Sequence, residues 1–199
     1  MAIDPDTIDP DPFRQFELWL ADAITAGIPS PDAFALATSS ADGAPSARVV
    51  LLRGHGPDGF AFYTNRGSRK GRDLEANPRA AAVFHWPLLQ RQLRVSGSIE
   101  RLSDSASEAY FAGRPRGHRL SAWASEQGQP IASRSELLQR VADLEVRFPT
   151  DQIPLPPDWG GYRLRPDRFE FWVSRADRLH DRVEYERVPD GWTRRRLQP

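Results

Sequence analysis

Arg178-Leu179-His180-Asp181-Arg182 packs two arginines, a histidine and a carboxylate into five residues. Arginine offers a rigid fork of donors, and histidine changes protonation near neutral pH, so this cluster suits an anionic, planar small molecule. Gly67-Ser68-Arg69-Lys70-Gly71-Arg72 is a second cluster, with a serine where a helix is predicted to start. Free backbone N–H groups there, with Arg69 and Lys70 in the first turn, would cradle a phosphate. Without an anion, those cations oppose the helix macrodipole. Arg48, on the preceding strand, would add a further cation to the same pocket. Arg114-Pro115-Arg116-Gly117-His118-Arg119 is the third cluster, and helical spacing puts Tyr110 on one face with Arg114. Each cluster taken alone has a solvated surface patch as its alternative. Together they point to two phosphorylated ligands.

These residues need elements to position them. Asp11-Pro12 reads as an N-cap with first-turn proline, opening a helix to about Gly27 whose Phe16, Trp19, Leu20 and Ile24 recur at helical spacing. From Ala33 the period changes. Residues 33–39, 46–53, 59–65, 80–86 and 92–102 read as strands, with a helical insert over 68–77. Helices follow over 104–112, 120–125 and 133–148, the last opening on the capping-box pattern Ser133-Arg134-Ser135-Glu136. A Pro-rich loop over 149–157 leads to strands at 161–165, 168–174 and 183–187, with 192–197 as an added edge. In the strand after Arg168, Phe169, Phe171 and Val173 would share one face, and Glu170, Trp172 and Ser174 the other. Short antiparallel strands with inserted helices predict a mainly β chain, a closed barrel with helical decoration. Residues 1–10 read as a disordered acidic lead-in, and 11–199 as a single domain.

Composition narrows the function. The chain has 199 residues, 39% hydrophobic and 27% charged, ordinary for a soluble domain with a sizeable core. The 27 basic residues balance 27 acidic ones, which argues against a nucleic-acid partner. Lys70 is the one lysine among those basic residues; the other 26 are arginine. No run of about 18 apolar residues suggests a membrane span, and the acidic, Pro-rich start is unlike a targeting peptide. The absence of cysteine fits a cytoplasmic location. Four histidines at no ligand spacing give no reason to expect a metal site.

The order of Arg48-Val49-Val50-Leu51-Leu52-Arg53, Phe62-Tyr63-Thr64-Asn65, Ser68-Arg69-Lys70, Arg91-Gln92, Tyr110-Phe111, Arg114-Pro115-Arg116, Ala122-Trp123-Ala124-Ser125, Trp159-Gly160-Gly161-Tyr162, Glu170-Phe171-Trp172 and the Arg178 cluster resembles pyridoxamine 5′-phosphate oxidases. The resemblance runs from about residue 12 to the C-terminus. It implies an antiparallel, Greek-key-like split β-barrel homodimer with FMN at the subunit interface. It also implies oxidation of pyridoxine or pyridoxamine 5′-phosphate to pyridoxal 5′-phosphate, with O2 reduced to H2O2 and hydride passing from substrate C4′ to flavin N5.

By the same resemblance, Arg48, Val49, Val50, Leu51, Tyr63, Thr64, Ser68, Arg69, Lys70, Gln92, Gln127, Gly128, Trp172 and Arg182 would bind FMN. Arg53, Tyr110, Arg114 and His118 would hold the substrate phosphate. Arg178, Leu179 and His180 would lie over the substrate ring, with Arg178 and His180 catalytic. The family pattern usually has Lys at Arg53, Ser at His118, Ser at Gly128 and Gln at Val173. Two other readings are a phenazine-type FMN oxidase acting on a non-phosphorylated ring, and a non-catalytic module binding flavin or pyridoxal phosphate.

Overall fold

A computed structural model describes residues 2–199. It contains helices α1 (Pro12–Thr25), α2 (Arg69–Ala76), α3 (Asp104–Ala112), α4 (Arg116–Ala124) and α5 (Arg134–Arg147). The strands are β1 (Ala33–Ser39), β2 (Pro45–Leu51), β3 (Gly54–Gly56), β4 (Gly59–Asn65), β5 (Arg79–Trp86), β6 (Arg91–Arg101), β7 (Trp159–Val173), β8 (Asp181–Val188) and β9 (Gly191–Arg196). They form one sheet in the order β2-β1-β5-β6-β7-β4-β3, with β8 and β9 branching from β7.

The branch at β7 is what splits the barrel. Trp159 to Leu164 pair with β4, and Arg168 to Val173 pair with β8, while the opposite edge carries β6. The two ends of the main path, β2 and β3, are joined by Leu52-Arg53, and Arg53 donates its backbone N–H to Ala61 O of β4 (2.8 Å). The two ends of the curled sheet are thus linked by the chain but not paired, and β2 remains an edge.

The predicted break between strands 161–165 and 168–174 is a bulge inside one strand. The register slips at Ser96/Gly97, so that Gly97 faces Pro166 and Ser96 faces Arg168, leaving Asp167 without a rung. Proline has no N–H to give a ladder and settles at such bulges. Gly97 permits the close approach, because a Cβ there would run into the Arg165 carbonyl. The helix expected at 120–125 begins earlier, at Arg116, and β3 was not foreseen.

Helix α1 is capped as predicted, with the Asp11 side chain accepting from Phe13 N. Its inner face fills the barrel: Phe16 is fully buried, 4.9 Å from Phe60 and 5.2 Å from Phe84, and Trp19 meets Phe171 edge-on at 4.9 Å. Phe169, Phe171 and Val173 face this core as expected. A smaller core of Phe111, Leu120, Ile153 and Trp159 lies under α3 to α5.

The disordered lead-in expected over residues 1–10 is a correction where the structure describes it. Ile3 and Ile8 are buried, Tyr185 donates its hydroxyl to Asp9 O (2.6 Å), and Arg196 pairs with Asp4 (2.6 Å). Two isoleucines with apolar surface to bury, and acceptors met by β8 and β9, outweigh the acidic, Pro-rich composition. Met1 lies outside the described residues.

Phe16→Ala removes the ring at the centre of the core and should cost about 3–5 kcal/mol. Urea unfolding of the ligand-free protein measures this; a cost under about 1 kcal/mol would mean the core tolerates the cavity.

Candidate functional site

One cleft of about 1090 Å³ collects most of the predicted site. Strand β2 supplies Arg48, Val49, Val50 and Leu51, with Arg53 just beyond it; β4 supplies Tyr63 and Thr64. Ser68, Arg69 and Lys70 open α2, Tyr110 lies in the last turn of α3, Arg114 and His118 flank the start of α4, and Gln127 and Gly128 close the rim from the α4–α5 loop. Five of these residues are permanent or ordinary cations, and no aspartate or glutamate lines the cleft among the described residues. In a chain of zero formal charge, that is local segregation.

Lys70 sits at the centre of one cationic group and is buried. Its ammonium donates to Gln127 Oε1 (2.7 Å), Thr64 Oγ1 (3.0 Å) and Ser68 Oγ (3.2 Å), all uncharged oxygens. Burial, then the neighbouring Arg48 charge, pushes its pKa down to about 8. Ser68 caps α2 by accepting from Gly71 N, and the helix has no acidic residue in its first turn. Gly71 is required there, since a Cβ would strike the Arg66 carbonyl. Arg48 is anchored from behind: Nη1 donates to Leu36 O (3.1 Å) and Thr38 Oγ1 (2.8 Å), and Asp73 lies 3.9 Å away.

Arg114 and Arg53 form the other group. Burial lowers the pKa of Arg114, and the charge of Arg53 adds to the effect. Among the described residues, Arg114 Nη1 is buried with no hydrogen-bond partner, and its guanidinium lies 4.8 Å over the Trp159 ring. Arg53 is held by Asp32 at 2.7 Å. Tyr63 stacks on Tyr110 with centroids 3.9 Å apart and planes 7° from parallel, and Trp159 continues the stack 5.5 Å from Tyr63. Gly161, the register partner of Tyr63, leaves room for that ring, which a Cβ would meet. Buried or partly buried cations around a lining that carries no carboxylate, one with an orphaned N–H, fit phosphorylated ligands, and parallel rings fit an aromatic one.

Gln92, Trp172, Arg178, Leu179, His180 and Arg182 do not line this cleft. Gln92, Trp172 and Arg182 stand side by side on adjacent strands, as the register partners Gln92–Trp172 and Trp172–Arg182. The His180 ring lies 4.6 Å from Trp172, so these residues form a second constellation around the branch of β7. Arg182 is engaged there, Nε donating to Glu170 Oε1 (2.8 Å) and Nη1 to Gln198 O (2.9 Å). Trp159 was missed as a cleft residue. Its signal was Trp159-Gly160-Gly161-Tyr162, where paired glycines beside aromatics mark close ring-to-backbone packing.

Apolar surface borders both constellations. Val49 and Leu51 are 69% and 40% exposed on β2, which pairs only with β1, and Leu179 is 69% exposed beside His180. An exposed apolar edge strand of this kind can support pairing with another chain.

Residues 20–148 match the family described as pyridoxamine 5′-phosphate oxidase, and residues 159–199 match the pyridoxine 5′-phosphate oxidase C-terminal dimerisation region. A pyridoxine/pyridoxamine 5′-phosphate oxidase of Rubrobacter xylanophilus is 56% identical over 194 residues, covering 98% of this chain and 89% of the relative. One of Cupriavidus metallidurans is 52% identical, covering 100% and 93%. Among solved structures, PhzG from Burkholderia lata in complex with tetrahydrophenazine-1-carboxylic acid superposes with TM-score 0.93 at 33% identity, covering 100% and 98%. A pyridoxamine 5′-phosphate oxidase-related, FMN-binding protein from Nostoc punctiforme gives TM-score 0.77 at 20% identity, covering 96% and 100%, a likeness of fold.

Lys70 binds fewer protons when folded than when unfolded between its pKa of about 8 and the ordinary 10.5. Stability of the ligand-free protein should therefore rise with pH across that window, by at most about 3 kcal/mol from this group. Urea unfolding at pH 7 and pH 10 should show a larger relative gain for wild type than for Lys70→Met. Equal pH responses would place the ammonium in contact with solvent.

Proposed function

The chain belongs to the pyridoxamine 5′-phosphate oxidase family, and from that we propose an FMN-dependent oxidase that converts pyridoxine or pyridoxamine 5′-phosphate to pyridoxal 5′-phosphate, reducing O2 to H2O2. The observation that carries this reading is the carboxylate-free cleft with its two cationic groups. Lys70, with Arg48, Arg69, Ser68 and Thr64, would hold the FMN phosphate; Arg53, Tyr110, Arg114 and His118 would hold that of the substrate. Val49 to Leu51, Tyr63, Gln127 and Gly128 would border the flavin. When bound, FMN supplies the hydride acceptor and passes the electrons on to O2.

We further propose a homodimer in which each site is composite. The cleft of one chain would meet Gln92, Trp172 and Arg182 of a second copy, bringing Arg178, Leu179 and His180 over the substrate. Two facts support this: the constellations are separate in one chain, and apolar Val49, Leu51 and Leu179 border them. Arg178 and His180 would then orient the substrate ring and stabilise charge on it. A phenazine-type ring is the second reading, favoured by the superposition on PhzG. The Arg53–Arg114 pair and the more identical relatives favour the phosphorylated substrate.

Aerobic turnover of FMN-loaded protein with each phosphorylated vitamer tests the reaction. Pyridoxal 5′-phosphate and H2O2 should form together; bound flavin that neither compound reduces would move the substrate to another ring. Mixing Lys70→Ala with Arg182→Ala protein under subunit exchange tests the shared site. Each homodimer should be nearly inactive, and the mixture should recover about a quarter of wild-type activity, because half the dimers carry one intact site. No recovery would place both residues in a site built by one chain.

A further inference from the structure

We infer that Asp181 is a positioning residue of this reaction: through Arg175 and Arg196 it holds the loop between β7 and β8 so that His180 presents Nε2–H as a fixed hydrogen-bond donor. The inference rests on the proposed function for the placement of His180 over substrate.

The loop is strained. Asp177 and Arg178 are consecutive non-glycine residues in the left-handed region, with φ of 55° and 61°. Such a conformation disfavours residues with a Cβ and persists only where surrounding contacts fix it. Asp181, on the first rung of β8 opposite Val173, anchors the segment on either side of Asp177 and Arg178. Its Oδ2 accepts from Arg175 Nε (2.6 Å), and its Oδ1 lies 3.3 Å from Arg196 Nη1. Arg196 Nη2 in turn pairs with Asp4 at 2.6 Å, so the docked N-terminal segment forms the outer end of the clamp. Burial works against the Asp181 charge, but Arg175 and Arg196, with the Ile3 backbone, outweigh it and hold the carboxyl below its ordinary range. Arg175 Nη2 is buried without a partner among the described residues, and Asp181 is the carboxylate that balances this guanidinium.

Arg175 connects the clamp to the imidazole. Its backbone N–H donates to His180 Nδ1 (3.1 Å). A backbone N–H can only donate, so Nδ1 accepts and the neutral ring carries its proton on Nε2. Trp172 packs against the same ring at 4.6 Å and limits its rotation. The donor is therefore aimed by a backbone that Asp181 fixes, and Asp181 itself makes no contact with substrate.

The test compares wild type with Asp181→Asn, a substitution of equal size that removes the charge. In FMN-loaded, ¹⁵N-histidine-labelled protein, with His180 assigned by its loss in His180→Gln, wild type should show the Nε2–H tautomer. Asp181→Asn should show a tautomer mixture, retain FMN, and lose about tenfold in kcat with little change in KM, as expected when a reacting group is misaligned. Asp4→Asn, at the outer end of the clamp, should shift both readouts in the same direction by less. A wild-type tautomer and wild-type kcat in Asp181→Asn would overturn the inference. If Asp181→Asn does not fold, unchanged readouts in Asp4→Asn would overturn it. If wild type turns over neither vitamer, the functional reading fails while the tautomer comparison still decides the role of Asp181.

Discussion

A buried ammonium ringed by uncharged oxygens is the constraint around which this molecule is arranged. Lys70 has Gln127, Thr64 and Ser68 as partners, and Arg48 and Arg69 as neighbours. Like charges gathered in a partly dry site are unfavourable until an anion joins them, so the scaffold must hold them there. Several elements share that work. Strand β1 grips Arg48 from behind through Leu36 and Thr38, and Thr38 Oγ1 in turn donates to Asp73 of α2 (2.6 Å). Strand β4 supplies Thr64, and the α4–α5 loop reaches across with Gln127. The barrel, in these terms, is a frame for a cation cluster.

The branch in the sheet explains why the chain carries two constellations. A strand of 15 residues can serve two neighbours along one edge, and β7 passes from β4 to β8 at the bulge around Asp167. Trp159 at its start belongs to the aromatic stack of the cleft, while Trp172 near its end belongs to the Gln92–Arg182 row. One rigid strand thus fixes residues of both constellations, the two halves of the composite site proposed for a homodimer.

Much of this was legible in the chain. The Asp11, Ser68 and Ser133 caps and the alternation of Phe169, Phe171 and Val173 each follow from local chemistry, and the structure keeps them. Long-range geometry was not legible. Nothing local to Arg165-Pro166-Asp167-Arg168 says that the ladder continues through a bulge, since that depends on Gly97 of another strand. The docking of Ile3 and Ile8 depends on partners nearly 190 residues away, such as Arg194, which donates to Ile8 O (2.9 Å). The separation of His180 and Arg178 from the cleft likewise follows from topology, because motif order does not say which end of β7 a residue is placed beside.

The most direct measurement of the central claim compares the affinities of FMN and riboflavin, which differ by the phosphate, for wild type and Lys70→Met at pH 7. Charge-assisted bonds from a preformed cation cluster should make wild type prefer FMN by at least about a hundredfold, and Lys70→Met should lose most of that preference. Equal affinities in wild type, or a preference untouched by Lys70→Met, would contradict the account and place the flavin phosphate elsewhere.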